Sequence, residues 1–127
     1  MSEVRSYKDL LIWQKGIELT EKVYQLVKSF PNEELYALTS QIKRCTISIP
    51  SNIAEGYGRK TTKNYIQFLR ISRGSLFELE TQLIIANKLN YITDKEIADT
   101  IFNLIAEEGK MLNSFIKKLD IDSKINV

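Results

Sequence analysis

The 127-residue chain has no histidine, one cysteine, two prolines and five glycines. Histidine is the usual general base near neutral pH and the commonest protein metal ligand, so its absence excludes Ser-His-Asp and Cys-His nucleophile systems. It also removes the Glu-x-x-His pairs with which helical bundles hold two metal ions, and no metal or other cofactor is expected. A single cysteine, Cys45, leaves no internal disulfide and no multi-cysteine cage, and points to a reducing compartment, the cytoplasm. Scarce glycine and proline give too few turns for a many-stranded sandwich or barrel. No apolar run reaches the roughly 18 residues of a membrane span. The opening MSEVRSYKDLLIWQKG is too charged for a secretory leader, so no membrane association is expected.

Phosphate loops of the GxxxxGK[ST] or GxGxxG type are also missing, and GYGRKT reads only as a glycine-containing turn. Glu78 and Glu80 stand two apart, face different directions on a helix, and cannot form a paired acid/base site by themselves. Catalysis is therefore not expected.

What the chain does contain is apolar periodicity, within a composition 43% hydrophobic and 27% charged. Leu10, Trp13, Ile17, Thr20, Tyr24 and Val27 recur at threes and fours and predict a helix over about residues 9–29, stopped by Phe30-Pro31. Leu35, Leu38, Ile42, Cys45 and Ile49 repeat the pattern until Pro50, which either opens a new helix or kinks the existing one. Ile53 continues the stripe, and Ser48 is placed to serve a carbonyl freed by the missing donor, favouring one kinked helix over about 33–57.

Thr61 or Thr62 caps a third helix over about 62–89. Its inner stripe is Tyr65, Phe68, Leu69, Ser72, Leu76, Leu79, Leu83 and Ala86, with Ile66, Phe77, Ile84 and Ile85 forming a second apolar surface. Thr93-Asp94-Lys95-Glu96 has capping-box spacing and opens a fourth helix over about 94–120, carried by Ile97, Ile101, Leu104, Met111, Phe115 and Leu119. The tail IDSKINV is expected to fray. The fold class is all-α: a single domain over 1–127, an antiparallel up-down four-helix bundle with a proline kink in helix two.

The segments SYKDLLIWQKGIEL, SFPNEELYALTSQIKR, SIPSNIAEGYGR, YIQFLRISRGSLFELETQL and NKLNYI together resemble the four-helix-bundle proteins encoded within intervening sequences of bacterial large-subunit ribosomal RNA genes. The resemblance is nearly full length. It implies a cytoplasmic bacterial bundle that assembles as a homopentameric ring and performs no catalysis. The family is more distantly similar to the accessory protein of diversity-generating retroelements, a pentameric basic barrel that engages a reverse transcriptase and nucleic acid. Members often carry two arginines where this chain has Lys43-Arg44, and an acid where it has Asn64; the first change loses one planar guanidinium, the second weakens a capping box.

Between residues 43 and 73 stand Lys43, Arg44, Arg59, Lys60, Lys63, Arg70 and Arg73 against the single acid Glu55. That window carries +6 in a chain whose total is +2, leaving −4 elsewhere. Such asymmetry can select a polyanion, since each phosphate neutralised releases condensed counterions, and a ring would repeat the patch. Tyr57 and Tyr65 lie close by as stacking faces for unpaired bases. The plainer reading is a solvated face with the tyrosines packed.

Ser48, Pro50, Asn52, Glu55 and Gly56 read as structural, satisfying backbone groups around the distortion or letting helices approach, with Asn52 and Glu55 alternatively bonding across a subunit interface. Cys45 fits a small buried hydrophobe. Trp13 fits either a core anchor or an intersubunit contact. The reading as a whole is a non-enzymatic oligomeric accessory protein, a homo-oligomer that binds RNA, single-stranded nucleic acid or a nucleic-acid–protein complex. The alternative is a scaffold for a partner protein with no direct nucleic-acid contact.

Overall fold

A computed structural model describes residues 3–125. Its α-helices are α1 (Leu11–Val27), α2 (Leu38–Tyr57), α3 (Thr62–Lys88) and α4 (Lys95–Ile125), with short 3-10 turns at Tyr7–Asp9 and Asn32–Glu34. No strand occurs among the described residues. Each helix packs on its neighbours in sequence, and α4 closes back on α1. Cys45 meets Ser75, Ile49 meets Ser72 and Gly56 meets Phe68, so α2 and α3 run in opposite senses. The pairs Leu76–Gly109 and Arg73–Asn113 likewise make α3 and α4 antiparallel, and Lys15–Glu107 and Ser29–Thr93 do so for α1 and α4.

The helix ends follow local chemistry. Ser6 and Asp9 form a reciprocal capping box over the first 3-10 turn. The Thr61 hydroxyl accepts the Asn64 amide at 3.1 Å and starts α3. At its other end Asn90 takes a left-handed φ of 62°, Tyr91 N–H donates to the Ala86 carbonyl and Asn90 N–H to that of Asn87. These are the two bonds of a Schellman stop, with Asn in the place glycine usually takes.

The buried faces are rotated from the expected stripes in two helices. In α1 the core is Ile12, Gly16, Leu19, Val23, Leu26 and Val27; of the expected stripe Val27 is buried, while Trp13, Ile17, Thr20 and Tyr24 are only half-buried. In α4 it is Ala98, Ile101, Leu104, Ile105, Leu112 and Ile116, with Ile97, Met111, Phe115 and Leu119 on the margin. Both helices carry two overlapping apolar stripes. The large rings favour the rim, where an amphipathic edge can stay wet, and the α1–α2 contact needs the backbone of Gly16 at the centre. Ile66 of α3, expected off the stripe, is buried.

Three boundaries also differ. Helix α2 begins at Leu38, because Pro31–Leu35 closes 3-10 bonds instead, Ala37 is non-helical, and Leu35 is left exposed. It then runs through Pro50 as one helix. The cap of α4 is Asp94, whose carboxylate accepts the Ile97 amide, while Thr93 donates to Ser29 across the end of the bundle. Helix α4 continues past the expected end to Ile125, since no glycine or proline interrupts it after Gly109 and Asp120 pairs with Lys124 one turn on. The remaining two residues of the tail, 126–127, lie outside the described residues.

Candidate nucleic-acid interface

The basic turn between α2 and α3 is held by a seam of small and polar side chains. Ser72 Oγ donates to the Ile49 carbonyl at 2.9 Å, Ser48 and Ser75 share a 2.8 Å hydroxyl contact, and Asn52 Nδ2 donates to both the carbonyl and hydroxyl of Ser48. Cys45 donates its thiol to the Ser75 carbonyl, and burial pushes its pKa up to about 12, assisted by nearby Glu78. Gly56 completes the seam: a side-chain carbon there would stand 2.9 Å from Phe68 Cβ and 3.0 Å from Tyr65 Cδ1. Glu55 is exposed on the outer side of the same turn. Pro50 is buried against Gly16 of α1.

Beyond this seam, Arg59, Lys60 and Lys63 stand in exposed positions around the turn. Arg70 is seven residues beyond Lys63 on α3, on nearly the same helical face and about 10 Å further along. The Arg59 guanidinium lies 4.4 Å over the Phe68 ring, which holds it in place without neutralising it. Arg73 is turned toward α4, donating to Asn113 Oδ1 at 2.9 Å.

Lys43 and Arg44 are not part of this group. They stand at the other end of α2, about 20 Å along the axis from the turn. Lys43 reaches over the Tyr24 ring toward α1, and Arg44 lines a shallow cleft with Cys45, Ser48, Ser75 and Glu78. The seven cations of the window therefore divide into three at the turn, two further along α3 and a separate pair on α2. Among the described residues, none of the seven forms an ion pair.

The contact of Tyr65 with Phe115 brings the C-terminal turns of α4 to the end of the bundle that carries the turn. Exposed Lys117 and Lys118 thereby join it in level. Sequence reasoning missed them because they lie more than forty residues outside the basic window, and only the antiparallel register shows the proximity.

Tyr65 packs edge-on against both Tyr57, at 6.3 Å, and Phe115, at 5.7 Å. Its hydroxyl is buried with no hydrogen-bond partner among the described residues, and burial followed by the neighbouring Tyr57 raises its pKa to about 12. Its ring is thus a packing element, and the surface it supports offers cations rather than open stacking platforms.

Outside the basic end, α3 exposes Ile71, Phe77, Ile84 and Ile85; the first two flank Gly74, where an added side-chain carbon would meet nothing within 4 Å. Trp13 packs edge-on against Tyr7 and lines a cleft of about 340 Å³ with Ile17, Ile47 and Pro50. No helix among the described residues is long and apolar enough to cross a membrane.

The family model for the 23S rRNA-intervening sequence protein matches residues 8–114. Among solved structures, the chain is similar to a protein of unknown function from the S23 ribosomal protein family of Bacteroides thetaiotaomicron. The two share 29% identity and a TM-score of 0.75, over 84% of this chain and 96% of that one. No match is found among curated proteins.

Proposed function

The chain belongs to the 23S rRNA-intervening sequence protein family, and from that membership we propose a non-catalytic, oligomeric accessory protein that binds RNA through the basic end of its bundle. The observation that carries this reading is the cluster of Arg59, Lys60 and Lys63, exposed around the α2–α3 turn and without carboxylate partners among the described residues. Cations held this way favour phosphate, and phosphate contacts position a ligand without reading its sequence. The packed tyrosines support backbone recognition over base stacking.

Self-association is proposed through the outer face of α3. Ile71 and Phe77 stand one turn either side of solvent-facing Gly74, with Ile84 and Ile85 about 15 Å further along α3, and together they form a surface that a second helix can approach. A pentameric ring, the assembly the resemblance implies, would repeat the basic turn five times and turn weak single-site attraction into avidity. The test is RNA binding by wild type and by an Arg59→Ala, Lys60→Ala, Lys63→Ala variant. Binding is expected to fall at least tenfold in the variant with the helical spectrum retained, and equal binding would reject the assignment.

A scaffolding reading draws on Tyr36, 92% exposed beside exposed Leu35 on the turn before α2. A tyrosine so displayed suits a protein partner. Pull-downs after nuclease treatment separate the two readings: a scaffold keeps its protein partner, whereas an RNA binder loses most recovered material.

A further inference from the structure

Glu108 occupies the centre of α4 on its core face, fully buried, and neither carboxyl oxygen has a hydrogen-bond partner among the described residues. Its tip lies at the crossing of α1 and α2: a side-chain carbon on Gly16 would be 3.3 Å from Glu108 Oε2 and 3.3 Å from Pro50 Cβ. An ionised carboxylate here forfeits its hydration with nothing in exchange.

The charged groups around it do not compensate. From α1, Lys15 is the cation that acts on Glu108, but its ammonium is bound to Glu107 at 2.9 Å on the partly exposed rim. Glu18, also on α1, adds a like charge on that side of the bundle. The buried faces of α2 and α3 bring no carboxylate or ammonium, and their one titratable thiol, Cys45, is turned to Ser75. Pro50, lacking an N–H, leaves the Thr46 carbonyl one turn earlier without its helical donor, so this part of the core is short of donors rather than of acceptors.

We propose that Glu108 is held as a neutral carboxylic acid in the folded bundle, and that its ionisation is a built-in alkaline release which loosens α4 from the α1–α2 crossing. Burial raises its pKa from 4.5 to about 8, with Lys15 opposing the shift only in part. The sign follows from linkage. The folded chain retains a proton that the unfolded chain gives up above pH 4.5, so the stabilisation is complete below that value. It declines as pH rises through the window and is lost above about pH 8.

The experiment is urea unfolding of the wild type and of Glu108→Gln at fixed protein concentration across pH 6–9. The wild-type unfolding constant is expected to rise roughly fiftyfold between pH 6 and 8, while the Gln variant, isosteric and always neutral, stays nearly flat. Parallel profiles would overturn the proposal. Should the variant not fold, carbon NMR of the wild-type side-chain carboxyls decides: one glutamate titrating near pH 8 supports the proposal, and all glutamates titrating below pH 6 overturns it.

Discussion

A methyl group at Gly56 would lie 2.9 Å from Phe68 Cβ, inside the α2–α3 seam, whereas one at Gly74 would meet open space. Gly56→Ala is therefore expected to destabilise by about 1–3 kcal/mol through overpacking, read from urea unfolding. Gly74→Ala is expected to stabilise the protomer by about 0.5–1 kcal/mol through helix propensity. If the outer face of α3 is the subunit interface, the same change lowers the oligomer mass in sedimentation, and an unchanged mass would move the interface elsewhere. Cys45, with its pKa near 12 and its thiol on Ser75, should resist a thiol reagent at pH 8 until the protein is denatured. That role was legible in the sequence, since a small apolar side chain falls on the stripe between Ile42 and Ile49. Glu108 was not, because an acid within an apolar repeat reads as part of the polar face, and only the packing of α1 and α2 over it shows otherwise.

Among the elements, α2 and α3 carry the most specific contact. Ser72→Ala removes the donor to the Ile49 carbonyl and is expected to cost about 0.5–1.5 kcal/mol in unfolding free energy, with no change in helical content. At the stop of α3, Asn90 holds a left-handed conformation that a β-branched side chain resists, so Asn90→Val should destabilise by about 1–2 kcal/mol while Asn90→Gly should not. The existence of four helices was readable from periodicity and from Pro31, Thr61 and Gly58. Their buried faces were harder to read. In α1 and α4 two stripes compete, and the choice depends on which neighbour needs close approach, a tertiary fact that no single helix encodes. The start of α2 was missed for a local reason, the 3-10 bonds that Pro31 sets up ahead of Leu38.

At the scale of the whole molecule, the near-neutral total of +2 conceals a basic end. The sequence placed Arg59, Lys60 and Lys63 together because they are contiguous with a turn signal, and the structure exposes all three around that turn. It grouped Lys43 and Arg44 with them only because linear distance ignores the length of α2, and it omitted Lys117 and Lys118 because they return to that end through antiparallel packing. The most direct test of the account is fluorescence anisotropy of labelled single-stranded and duplex RNA titrated with the purified protein from low to moderate salt, with the oligomer mass measured on the same sample. Binding by the oligomer is expected, with a log–log salt slope of magnitude well above one that is reduced in the Arg59, Lys60, Lys63 triple alanine variant. No binding at low salt, or binding that ignores salt and the triple substitution, would contradict it.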